Sequence, residues 1–309
     1  MRTEEFEVEP EQEGERLDCV LRKIYPDYSR SFFQKLIREG LVSIDGTCQK
    51  ASYPVKPEEL VRVQIPDAVE TAVKAENIPL DILYEDEDVL IVNKPKGMVV
   101  HPSAGHSSGT LVNAVMYHCR DSLSGINGEI RPGIVHRIDM DTTGSLIVCK
   151  NDESHVHIAA QIKAHSVNRI YEGIVFGNVK SDAGTVEGAI GRHPVDRKRM
   201  AVNEKNGKPA VTHYEVLERF GNYTYLRFSL ETGRTHQIRV HMASIGHPLV
   251  GDALYAGGRS GPAGMKLQGQ TLHAKTIGFI HPRTGAYMEF SAPLPEYFEK
   301  MLSILKSGR

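Results

Sequence analysis

Apolar positions in the first part of the chain recur at helical spacing. Leu17, Val20, Leu21 and Ile24 share one face of a helix that Tyr25-Pro26 ends. Ser29 is placed to cap a second helix, which turns Phe32, Phe33, Leu36 and Ile37 inward and leaves Arg30, Gln34, Lys35 and Arg38 mostly on the other side until Gly40 closes it. The period then changes. Val42–Ile44 with Asp45-Gly46 predicts a short strand and tight turn, and Leu60–Ile65 alternates as a half-buried strand does. These elements bound a module over residues 14–65, a polar linker over 66–78 and a second module over 79–305.

In the second module, the apolar run within Asp88–Asn93 predicts a buried strand, broken by Lys94-Pro95-Lys96-Gly97, which carries two lysines into a loop. Thr110–Cys119 reads as a helix, with His118 as one of its satisfied polar residues, and 122–133 as a loop. The stretch from Ser145 to Cys149 is another buried strand. Asp152–Ala164 follows as a helix with Val156, Ala159, Ala160 and Ile162 inward. Arg169–Val175 reads as a strand that puts Tyr171 on the face opposite Ile170 and Glu172. Residues 177–210 form a hairpin-like excursion with a dense basic cluster at Arg197, Lys198 and Arg199. Val211–Leu217 and Tyr223–Leu230 pair through a turn at Gly221-Asn222. Finally, Thr235 can cap a helix carrying Ile238, His241, Met242 and Ile245 along one stripe, with Arg234 at its entrance.

Composition narrows the class without naming a function. A chain of 309 residues, 40% apolar and 25% charged, has the makeup of a soluble globular protein large enough for two domains. Its formal charge of −2 gives no global signal for nucleic acid, so an RNA contact would rest on a local patch. Four scattered cysteines without a Cys-x-x-Cys suggest neither a disulfide framework nor a zinc ribbon, and fit a reducing cytoplasm. The acidic start is unlike a signal peptide, and no apolar run approaches the ~20 residues that span a bilayer, so a soluble cytoplasmic protein is expected. His236 and His241 stand five apart on the predicted helix, which is poor geometry for joint ligation, so no metal is expected there.

Candidate chemistry concentrates in Gly133–Gly144, where His136, Arg137, Asp139, Asp141, Thr142 and Thr143 precede an apolar strand. Burying an ionised carboxylate costs several kcal/mol unless it is paired. The cluster is therefore either a polar turn with ordinary ion pairs or a place where a charge is kept for use.

The order of landmarks resembles the RluA-type pseudouridine synthase family. His136-Arg137-Ile138-Asp139-x-x-Thr142-Thr143-Gly144 matches its main motif, with Ile138 and Thr143 as mild departures. Lys94-Pro95-x-Gly97 matches the first motif, Tyr171 with Gly173 the tyrosine strand, and Leu230-x-Thr232-Gly233-Arg234-x-His236-Gln237-Ile238-Arg239 the third. The N-terminal order, from Ser29-Arg30-Ser31 to Ile44-Asp45-Gly46, resembles an alpha-L RNA-binding module of ribosomal-protein type, which points to the RluD-like branch.

The resemblance implies an α+β fold, with a large mixed and mostly antiparallel sheet flanked by helices and loops beside a small αα-β domain. It implies isomerisation of uridine to pseudouridine in structured RNA, favouring large-subunit ribosomal RNA with transfer RNA as the alternative, and no cofactor or metal. By position, Asp139 would act at the ribose, as nucleophile or base, with Arg234 as its partner and Tyr171 relaying a proton. Arg137 would fill the gap left by the flipped base, with His136 supporting the loop and Asp141 a surface or capping group. Lys94, Arg30, Gln34, Lys35 and the 197–199 cluster are the further expected RNA contacts, and a monomer is the default. Two other classes use the same residues: a non-catalytic RNA-binding or ribosome-assembly factor, and a glycosidase or nucleoside hydrolase using Asp139 with Asp141.

Overall fold

The computed structural model describes residues 2–308 other than 27, 29, 66–72, 104, 121, 125–131, 197, 263, 264 and 266. Two compact units result, Met1–Thr71 and Ala72–Arg309. Among the described residues no helix is long and apolar enough to cross a membrane.

The first unit runs β1 (Arg2–Glu7), α1 (Leu17–Ile24), α2 (Arg30–Arg38), β2 (Val42–Ile44) and β3 (Leu60–Ile65), with β3 central in an antiparallel sheet. The predicted inward faces are buried: Leu17, Val20 and Leu21 from α1 meet Phe33, Leu36 and Ile37 from α2 over Val61 and Val63. Ser29, the expected cap of α2, lies outside the described residues, as does the first part of the 66–78 linker. The acidic N-terminus, left outside the module by its composition, supplies β1. Its glutamates alternate with Phe6 and lead to buried Val8, so one edge of the sheet is apolar enough to close the core.

The second unit runs β4 (Ile82–Glu85), β5 (Val89–Lys94), α3 (Leu111–Cys119), β6 (Thr143–Cys149), α4 (Asp152–Lys163), β7 (Asn168–Phe176), β8 (Ala183–Glu187), β9 (Ile190–Arg192), β10 (Met200–Val202), β11 (Val211–Arg219), β12 (Tyr223–Leu230), α5 (Gln237–Ser244), β13 (Leu272–Ile280), β14 (Tyr287–Ser291) and α6 (Glu296–Ser307). Nine strands form one sheet in the order β4-β5-β6-β13-β7-β12-β11-β8, with β14 on β13, while β9 and β10 make a separate hairpin. Only β6 and β13 pair in parallel among these strands. This is the expected mixed, mostly antiparallel sheet of an α+β fold.

The unbroken apolar runs of β5 and β6 reflect burial of both sheet faces. Leu90, Val92, Leu146 and Val148 enter a core shared with α3 and α5, whereas Val89, Ile91, Ile147 and Cys149 face Ile158 of α4 and Phe279 of β13. On α4, Ser154, His155 and Ile158 are buried and Ile162 packs against the same core as expected, whereas Val156 is 61% exposed, contrary to the expected face. Its apolar residues Val156, Ile158, Ala159, Ala160 and Ile162 spread around the helix, so the pattern offers little contrast between its sides. Where β6 meets β13, Gly144 adopts φ 110°, and a Cβ there would lie 2.2 Å from the Ala274 carbonyl oxygen. Glycine lets the central strands touch where the Asp139 loop ends.

Candidate active site

The loop between Ile134 and β6 is held from three sides. Lys94, expected to reach RNA, is fully buried at the end of β5, and its ammonium donates to the carbonyls of Pro95, Met98 and Met140 at 2.8, 2.8 and 2.9 Å. Burial depresses its pKa to about 7, against the pull of Asp141 and Asp139. The three carbonyls match the three donors of an ammonium, so this lysine is an internal post for the loop. The Gly97 N–H donates to the same Met140 carbonyl. His136 accepts the Ile147 N–H on Nε2 at 2.9 Å, and burial, reinforced by the charge of Arg169, pushes its pKa down to about 3. Its ring is neutral and ties the loop to β6.

Held this way, Asp139 presents a carboxylate that is 18% exposed. Its Oδ2 accepts from Arg239 Nη1 at 2.9 Å. Arg239 is itself fixed, because Nε and Nη2 donate to the two oxygens of fully buried Asp252 at 2.7 and 2.9 Å. Asp252 also accepts the N–H groups of Leu254 and Tyr255. Burial works to lower the arginine's pKa, but the two carboxylates outweigh it and raise it. A guanidinium clamped on one side is preorganised for its task on the other.

This corrects the expected partner. Arg234 lines the same cleft, but its Nε donates to the Pro209 carbonyl at 3.0 Å. The physical reason is the start of α5. The helix begins at Gln237, not after a Thr235 cap, with His236 in the left-handed region at φ 57°. Gln237 folds back to accept from Thr232 Oγ1 and the Arg234 N–H. The turn therefore sends Arg234 outward, and Arg239 lies one helical step inside.

Asp139, Tyr171, Arg169, Arg234, His236 and Arg239 line a cleft of about 530 Å³. Tyr171 comes from β7, between Phe228 of β12 and Ala274 of β13. Burial raises its pKa, Arg169 opposes that and Asp139 adds to it, so the phenol stays protonated. Asp139 is the sole carboxylate of the lining, which also holds Arg137, Lys163, Arg169, Arg234 and Arg239. Arg169 is buried, and its Nε and Nη2 have no hydrogen-bond partner among the described residues. This basic wall was invisible to sequence density because its members come from separate segments.

Arg137 is exposed at the edge where this cleft meets a second cavity of about 380 Å³, also lined by Asp139, His236 and Arg239. Asp141 faces that second cavity and packs against Gly269, more enclosed than the expected surface group. The two histidines that follow the third motif, His241 and His247, go their own ways. His241 is buried against Thr212 and the Gly188 carbonyl, and His247 faces the Phe176 carbonyl.

Of the expected outer contacts, Arg197 lies outside the described residues and Lys198 is exposed. Arg199 leans over the Tyr255 ring, 5.3 Å from its centroid. In the first unit, Arg30 and Gln34 donate to buried Asp18 at 2.9 and 2.5 Å, joined by Arg16. Their polar ends are partly committed to their own module, while Lys35 and Arg38 stay exposed.

Comparison with known proteins finds that residues 88–244 match the RNA pseudouridylate synthase family and residues 15–61 the S4 domain. The chain is 49% identical over 298 residues to an uncharacterized RNA pseudouridine synthase, YlyB, of Bacillus subtilis (strain 168), covering 96% of each chain. It is 45% identical over 312 residues to the ribosomal large subunit pseudouridine synthase D of Pseudomonas aeruginosa, covering 98% of this chain and 96% of that one. In structure it is similar to human RNA pseudouridylate synthase domain containing 1, with a TM-score of 0.56 and 24% identity over 79% of this chain and 98% of that one.

Proposed function

The chain belongs to the RNA pseudouridylate synthase family, and from that premise we propose that it converts uridines of large-subunit ribosomal RNA to pseudouridine at the Asp139 cleft. The observation that carries the reading is Asp139 held by the clamped Arg239 in one basic cleft with Tyr171. The ribosomal target follows from the relatives named for that substrate.

A uridine stacked in a helix cannot reach a partly enclosed carboxylate, so the nucleotide flips into the cleft. Exposed Arg137 at the cleft edge then fills the space it leaves. Asp139 acts at the ribose as the N1–C1′ bond breaks, and the charge-assisted bond from Arg239 keeps its carboxylate aimed. The uracil rotates and C5 bonds to C1′. The C5 proton must then leave while N1 gains one, and Tyr171, protonated and in the same cleft, is the relay that hands on its phenolic proton as it takes up the one from C5. The arginines and lysine of the cleft wall meet the phosphates, which gives salt-dependent binding.

Asp139→Asn tests the reading. It is expected to bind a 23S ribosomal RNA fragment as the native protein does, but to release no tritium from C5-labelled uridines. Turnover by the variant refutes the role of Asp139. Release of free uracil by the native protein would mark a hydrolase, and binding without either product a non-catalytic factor.

A further inference from the structure

The proposed reaction leaves His236 without a role, although the chain strains its backbone to place it. A non-glycine residue at φ 57° is uncommon and, at a site, asks for a reason. The imidazole bridges two features. Nδ1 lies 2.9 Å from the Tyr255 hydroxyl, and Nε2 lies 3.9 Å from Asp139 Oδ1.

The Tyr255 hydroxyl settles which nitrogen carries the proton. It already accepts the Met200 N–H at 2.9 Å, and the imidazole is its other hydrogen-bond neighbour among the described residues. The phenolic proton therefore goes to Nδ1, and the neutral ring carries its hydrogen on Nε2. Tyr255 is itself pinned, with Arg239 and Arg199 over its ring at 5.1 and 5.3 Å and its N–H on Asp252. The result is an N–H donor facing a carboxylate oxygen that is not engaged by Arg239, at a separation too long for a direct hydrogen bond. Both groups line the two cavities that meet there.

A donor beside an acceptor at this spacing suits a hydroxyl, which accepts from one and donates to the other. Stereochemistry supplies that hydroxyl. A carboxylate approaching C1′ from the face opposite the base arrives on the face that carries the ribose 2′-hydroxyl. Resting on the Asp139 reading above, we propose that His236 is a further catalytic residue whose Nε2–H, with Asp139 Oδ1, holds the 2′-hydroxyl of the flipped uridine and so selects ribose over deoxyribose at the reacting nucleotide. Tyr255 is a positioning residue that fixes the tautomer.

The test uses the full chain and one ribosomal RNA fragment that it modifies, ligated with either uridine or a single 2′-deoxyuridine at the target. Single-turnover rates are compared for the native protein, His236→Gly and Tyr255→Phe. Glycine accepts the left-handed backbone, and phenylalanine keeps the ring between the arginines. Activity of the native protein on the all-ribose fragment checks the underlying reading separately. The deoxy sugar also changes the intrinsic lability of the glycosidic bond, but equally for every enzyme, so the ribose-to-deoxyribose ratio is compared between proteins.

The native ratio is expected to exceed that of His236→Gly by about ten- to hundredfold, the range of a hydrogen bond within a charged group's reach. Tyr255→Phe is expected to fall between, through the rate on the ribose fragment. Ratios equal within about twofold in the native protein and His236→Gly would overturn the proposal, and an unchanged ratio in Tyr255→Phe would remove the tautomer relay from it.

Discussion

Replacing Arg239 with methionine separates what the clamp does for stability from what it does for chemistry. The change strips Asp252 of both guanidinium bonds and Asp139 of one. Asp252 is fully buried, and among the described residues the N–H groups of Leu254 and Tyr255 are what remain to its side chain. Removing one partner of a buried pair costs about 3–5 kcal/mol, mainly because the other charge is left uncompensated. In a unit spanning 72–309, each kcal/mol moves the unfolding midpoint by about 2–4 °C, so a fall of about 10 °C is expected. The activity loss from the missing charge-assisted bond to Asp139 is a further ten- to hundredfold, roughly. Adding Asp252→Asn removes the stranded charge while its carbonyl still accepts the two backbone N–H groups. The double variant should recover about 2 kcal/mol or more of stability and none of the activity, since Asp139 still lacks its partner. Thermal unfolding and tritium release from C5-labelled RNA read the two quantities. A single variant as stable as the native chain, or a double variant that regains turnover, refutes the reasoning.

Lys94→Met should leave the Pro95, Met98 and Met140 carbonyls without their donor, lowering the melting point of the second unit and the rate on RNA while binding stays within a few fold; a variant with native rate and stability would contradict the post. Because burial holds His136 near a pKa of about 3, the unfolded chain takes up a proton there that the folded chain refuses. Stability should therefore fall as pH drops from about 6.5 toward 3, and His136→Gln should flatten that slope in urea titrations; an unchanged slope excludes the histidine as its source. Gly144→Ala should be among the most damaging small substitutions, because its methyl meets the Ala274 backbone and not a side chain that can move; a circular dichroism melt within about 1 °C of native would refute that.

The strands were legible because burial on two faces writes itself as unbroken apolar runs, as with Val89 to Val92. Asp139 and Tyr171 were legible from the order of motifs, and the cleft brings them together. The carboxylate's partner was not. Arg234 and Arg239 stand in one motif, and only the turn made by His236 and Gln237 decides which points inward. Lys94 looked like a loop charge because carbonyl acceptors leave no trace in side-chain identity. The first strand was hidden by its glutamates, and the inward face of α4 by apolar residues spread around the helix. Arg169 had no signal beyond a charged residue in an apolar strand, because the lack of hydrogen-bond partners for its Nε and Nη2 among the described residues is a property of space.

The parallel pairing of β6 with β13 also has a bearing on when the protein becomes able to act. Thr143 Oγ1 and His273 Nδ1 meet at 2.8 Å across 130 residues of chain, and β13 is flanked by β6 and β7, the strands next to Asp139 and bearing Tyr171. During synthesis at roughly 5–20 residues per second, the Asp139 loop waits on the order of ten seconds for the strand that seats it. Until then β6 and β7 lack the strand that pairs with both, and unpaired apolar strand edges make an incomplete chain prone to aggregate. The sheet around the site therefore closes only once residues 272–280 have been made.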